Sequence, residues 1–197
     1  KAIGLTEQPR INLMDVLLDL TARIFEDTVP KTFCDQDAVT DHLRYLNGDL
    51  INFMAQFFEI HSSGDLNLIL NLASSIERSN ALLGLREHRN SSTLYFCEPD
   101  MRACGLTAQS IRSAQSSSDL ETFLKSQVVI VKNDLIFTLS QLSRNLKKRS
   151  RFFTTQAEIN LQVLDLTLKT NCHVLENRLE LLPIRKLWLA WKSKTWG

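Results

Sequence analysis

Apolar residues along the chain recur every three to four positions, the interval that gathers them on one face of an α-helix. Leu13, Leu17, Leu20 and Ile24, flanked by Met14, Leu18 and Phe25, predict a helix over about 11–27 that Pro30 stops. Val39, Leu43, Leu46, Leu50, Phe53, Phe57 and Ile60 keep a 4-3 spacing and predict a second helix over about 36–61. Asp35 or Asp37 suits its N-cap, and the stripe runs through Gly48 without losing phase. Ser62-Ser63-Gly64-Asp65 reads as a tight turn, so the next helix, about 65–84, returns antiparallel. Leu66, Ile69, Ala73, Ile76 and Leu83 line it, Asn80 sits at the stripe's edge facing water, and Gly84 suits a left-handed C-terminal residue.

Periodicity is lost over 85–106, and a short helix is expected at 107–114. Ser118-Asp119-Leu120-Glu121 is a capping-box pattern that opens a helix to about 147, lined from Leu120 to Leu146. Thr155-Gln156-Ala157-Glu158 repeats the pattern and opens the last long helix, about 155–182. Leu161, Leu164, Leu168 and Cys172 lie on its stripe. Beyond Pro183, the residues Ile184, Leu187, Trp188 and Trp191 share one face of a terminal helical segment. The expected fold is all-α: an antiparallel up-down bundle or stacked helical hairpins, with five main helices plus short ones. We read residues 1–197 as one helical domain, with a weak division at the 85–117 connection.

Composition agrees with few turns, since the chain holds only six Gly and four Pro. With 23 basic and 22 acidic residues the net charge is +1, so no global field favours nucleic acid or an anionic membrane. The longest apolar run is five residues, Leu187 to Trp191, and the next include Val128 to Val131, against the roughly 20 a membrane-spanning helix needs. The chain opens on Lys1 rather than Met, which reads as an excised domain or a processed product.

Four cysteines, Cys34, Cys97, Cys104 and Cys172, are too sparse for a disulfide scaffold and read as free thiols. A Cys97–Cys104 bridge belongs to a secreted alternative, as does the sequon Asn90-Ser91-Ser92. His42, His61, His88 and His173 share no metal-ligand spacing, and no phosphate-binding glycine loop or nucleophile elbow is present. The motif inventory therefore yields no catalytic, cofactor or metal residue and no cofactor.

Two features stand above background. Arg144, Lys147, Lys148, Arg149 and Arg151 form a basic tract at a helix C-terminus, where cations complement the helix dipole. It also offers a weak contact for nucleic acid or an anionic surface. Trp188, Trp191 and Trp196 all fall in the last ten residues, and Trp is enriched at binding hot spots. Together these features read as a non-enzymatic, intracellular adaptor or scaffold module. Its helix grooves would accept a partner protein's helix or peptide, with Trp188, Trp191, Trp196, Lys147, Lys148, Arg149 and Arg151 as partner-binding residues. The alternative is a secreted, cytokine-like helical ligand for a cell-surface receptor, which the short link between the second and third helices disfavours.

Overall fold

The computed structural model describes residues 13–88, 90, 93–113, 117–170 and 180–196. Ten helices follow one another among them: α1 (Leu13–Glu26), α2 (Gln36–Phe57), α3 (Ser63–Leu83), α4 (Leu85–His88), α5 (Glu98–Ala103), α6 (Ala108–Ser113), α7 (Ser118–Gln141), α8 (Arg144–Arg149), α9 (Arg151–Lys169) and α10 (Pro183–Trp196). The described residues contain no strand, only an isolated bridge between Phe33 and Cys97. The all-α bundle is as the periodicity predicts. No helix among these residues is long and apolar enough to cross a membrane.

Helix α3 is the centre of the bundle, packed against α2, α7 and α9. Its sequence explains why it can be enclosed on several sides. Ala73, Ser74, Ser75 and Ser79 are small and let neighbouring helices approach closely. The buried hydroxyls meet their own helix: Ser74 Oγ donates to the Leu70 carbonyl (2.9 Å) and Ser79 Oγ to that of Ile76 (2.7 Å). Asn160 on α9 donates to Ser79 Oγ and to Asn80 Oδ1 (2.9 Å), fixing the register of α9 against α3. Asn80 is itself exposed, at the edge of the stripe as expected.

Several boundaries differ from the sequence expectation, each for a local reason. Helix α2 ends at Phe57 because Glu59 takes a left-handed conformation (φ 54°), with the Ile60 amide donating to the Ala55 carbonyl (2.9 Å). The stop therefore precedes the expected turn, Ser62 becomes the N-cap of α3, and Gly64 lies inside that helix. Gly84 closes α3 with φ −92°, so no left-handed residue is needed there. The helix expected over 118–147 is broken: Leu142 is extended, and Ser143 Oγ accepts from the Leu146 amide (3.2 Å) to start α8. The cap of α7 is Ser117 rather than Ser118, accepting from the Leu120 amide (3.1 Å). Helix α9 begins at Arg151, four residues before the expected capping box, and the stripe position Cys172 lies outside the described residues.

The first helix departs most from its expected packing. Val16 is its one buried residue, whereas Leu13, Leu17 and Ile24 of the stripe are exposed. Polar contacts hold α1 on α2 instead. Arg23 pairs with Asp49 and lies 4.7 Å over the Tyr45 ring, and Tyr45 OH donates to Glu26 (2.7 Å). Stripe position Phe57 on α2 is exposed too, while Ile51 and Ala55 are buried in its place. The core phase thus shifts near Gly48.

Substitutions should follow this burial rather than the sequence stripe. In urea denaturation, Leu164→Ala should cost about 2–5 kcal/mol and Leu17→Ala no more than about 0.5 kcal/mol. Glu59→Gly should raise stability by about 0.5–1 kcal/mol, because glycine adopts the left-handed conformation without a Cβ penalty. Equal losses for the two leucines would refute the burial assignment, and destabilisation by Glu59→Gly the turn geometry.

Candidate functional site

A partly open cleft of about 390 Å³ lies where α1, α2, α3 and α7 meet the segment 93–96. Leu20 and Ile24 of α1, Leu43 and Leu46 of α2, Leu82 of α3 and Phe96 supply apolar wall. Thus part of the α1 stripe that misses the core borders this cleft instead.

The polar groups of the cleft come from helices distant in sequence. Arg78 of α3 is only 4% exposed, and Gln127 of α7 only 1%. Arg78 donates through Nη2 to Gln36 Oε1, and Gln36 Nε2 donates to Asp100 Oδ2 (2.6 Å). Gln127 Nε2 reaches the same carboxylate oxygen at 3.4 Å. Asp134, which accepts from Ser75 Oγ (2.6 Å), adds a further negative charge facing the guanidinium. Burial pulls the Arg78 pKa below the usual arginine range, and Asp134 and Asp100 oppose that pull. Arg78 Nε and Gln127 Oε1 are buried and have no hydrogen-bond partner among the described residues. Such groups are costly in a packed interior, and Asn52 Oδ1 and Arg151 Nε share this state away from the cleft.

Glu77 also borders the cleft. Burial raises its pKa above the ordinary glutamate value, opposed by a weaker effect from its hydrogen bond with Asn80. At the rim Asp27 joins two rings: His42 Nε2 lies 2.7 Å from Oδ1, and Tyr95 OH donates to Oδ2 (2.6 Å). Burial, then the Asp27 carboxylate, push the Tyr95 phenol well above its usual range. Phe33, stacked on Tyr95 at 6.3 Å, completes this aromatic rim. Next to it, burial pushes the Cys97 thiol up to about 11.

The structure keeps the residues singled out by sequence away from this cleft. Lys147, Lys148 and Arg149 form the last turn of α8, and Arg151 opens α9. Arg149 Nε donates to the Phe58 carbonyl at the end of α2 (3.3 Å), a structural use of one cation. Trp188 and Trp191 are exposed on α10, and Trp196 is its last residue. Cys34, Cys97 and Cys104 are free thiols, since α5 separates Cys97 from Cys104. Among the described residues no group of three or more His, Cys, Asp or Glu side chains gathers as a metal site.

The bundle has a counterpart among solved structures, a dehydrosqualene synthase crystallised with ligand. The TM-score is 0.69, over 93% of this chain. The fold resembles that of a dehydrosqualene synthase. Identity to the synthase is 14%, so the likeness establishes the fold alone, and the chain spans 65% of that protein's length. No protein-family model matches the sequence, and no curated protein matches it.

This likeness corrects the reading of the chain as a non-enzymatic adaptor, and with it the cytokine-like alternative. Those readings rested on an empty inventory of contiguous motifs. In a helical bundle a site can be built from side chains on facing helices, so an empty inventory of contiguous motifs does not exclude one. The signal that could have pointed to the cleft is the pair Glu77-Arg78, charged residues set among the small and apolar positions of α3.

The raised pKa of Glu77 makes stability depend on pH. Its protonated form is favoured on folding, so this contribution is complete below the unfolded value of 4.5. It is lost as pH rises through the higher folded value. Glu77→Gln should therefore flatten the decline in stability between pH 4.5 and neutrality, measured by urea denaturation. An unchanged decline would show that the carboxyl is not desolvated.

Proposed function

We propose that the chain is an enzyme of the dehydrosqualene synthase type that takes an isoprenoid substrate in the α1–α2–α3–α7 cleft. The observation that carries this reading is the coincidence, in one cleft, of an apolar wall with Arg78, Gln127 and Glu77. A long apolar wall suits an isoprenoid chain, which gains free energy by leaving water. Arg78, whose residue borders the cleft, would supply positive charge toward the polar end of the substrate. Glu77, a carboxyl bordering the same cleft, would add a hydrogen-bonding group at that end.

The likeness in fold to the synthase supports this choice over other uses of an apolar cleft. Free thiols at Cys34, Cys97 and Cys104 support a reducing, intracellular setting.

The test incubates the full chain with isotope-labelled prenyl diphosphates, the activated form of isoprenoid units, and follows new products by mass spectrometry. The expected result is a labelled isoprenoid product that requires the intact cleft. Ile24→Trp, at an exposed position of the cleft wall, should leave the melting temperature unchanged and weaken substrate capture about tenfold, roughly 1.4 kcal/mol. Saturable binding without any product would overturn the enzymatic reading. Binding unaffected by Ile24→Trp would overturn the assignment of the cleft.

A further inference from the structure

Helix α10 meets the bundle through Leu189. Leu189 is 2% exposed and packs with Leu181 and with Val163 of α9. On another arc Ile184, Leu187, Trp188 and Trp191 follow at i, i+3, i+4 and i+7 and form one stripe. Their exposures are 75%, 70%, 53% and 57%, and Leu182 just before the helix is exposed as well. A stripe of this size facing water asks for an occupant.

Charge identifies which. The segment Pro183–Trp196 carries Arg185, Lys186, Lys192 and Lys194 and no acidic residue, in a chain whose net charge is only +1. At 100° per residue, Arg185 and Lys192 border the apolar stripe on one side and position 194 borders it on the other. Lys192 Nζ lies 5.4 Å from the Trp188 ring centroid, at the edge of the stripe. Lys186 also pairs with Glu180 (3.2 Å), and Arg185 Nε also donates to Gln162 (2.8 Å).

Tryptophans between flanking cations form the pattern of a helix lying in the plane of a bilayer surface. The rings sit at headgroup level and the cations meet lipid phosphates. A second copy of the chain fits the same face poorly, because apposing two such helices brings two sets of cations together. We propose that α10 is an in-plane docking helix for an anionic phospholipid bilayer. This inference stands apart from the enzymatic reading of the cleft.

The test measures co-sedimentation of the full chain with phosphatidylcholine vesicles, with and without phosphatidylglycerol, and the tryptophan emission of the bound protein. Binding is expected with phosphatidylglycerol, with a blue-shifted emission, and should weaken as salt is raised. The double variant Trp188→Ala/Trp191→Ala, shown to be folded by its circular dichroism, should lose at least about tenfold in vesicle affinity. Four results would overturn the proposal: no binding to anionic vesicles, equal binding without phosphatidylglycerol, full binding by the double variant, or lipid-free self-association that the double variant abolishes.

Discussion

A guanidinium enclosed among helices is the constraint on which the arrangement depends. Arg78 sits on the most enclosed helix of the bundle, where its charge is far from bulk water and must be met by other groups. The groups that meet it arrive from three directions. Gln36 comes from the first turn of α2, Asp100 from α5, and Asp134 from α7. Helix α5 thereby gains a reason for its position beyond its apolar contacts. The same arrangement leaves Arg78 Nε and Gln127 Oε1 unmatched beside an apolar cleft.

The peripheral helices show the opposite physics. Apolar contact does little to fix α1, whose buried side is reduced to Val16 and whose hold on α2 runs through Arg23, Asp49 and Tyr45. Helix α10 is held through Leu189 and turns a tryptophan-bearing stripe outward. Apolar stripes on both helices have the same helical period as those of the core helices. Their destinations differ: part of the α1 stripe borders the cleft, while that of α10 faces solvent.

The cleft itself was almost invisible in the sequence. Its residues run from Leu20 to Val131, and no two of its helices contribute a contiguous motif. Glu77 and Arg78 are adjacent, yet a charged pair in a helix usually lies on a solvated face, and nothing local says otherwise. The small residues Ala73, Ser74, Ser75 and Ser79 are a local signal of an enclosed helix that periodicity passes over, because they suit close approach rather than solvation. The tryptophans and the basic tract drew more notice because they are dense in sequence. The structure places both groups outside the cleft.

What the sequence by itself determined is the class of fold and the order of its main helices. Helical periodicity is a local property, written within a few turns, and so are the N-cap at Asp35, one of two candidates there, and the breaker at Pro30. Which stripe becomes core was decided only by tertiary structure, because burial needs a partner surface and the pattern names none. The break at Ser143 and the left-handed Glu59 belong to the same category: each redirects the chain so that a neighbouring helix can pack. Long-range electrostatics made the final choice, since a buried arginine is tolerable only after Gln36, Asp100 and Asp134 have been brought around it.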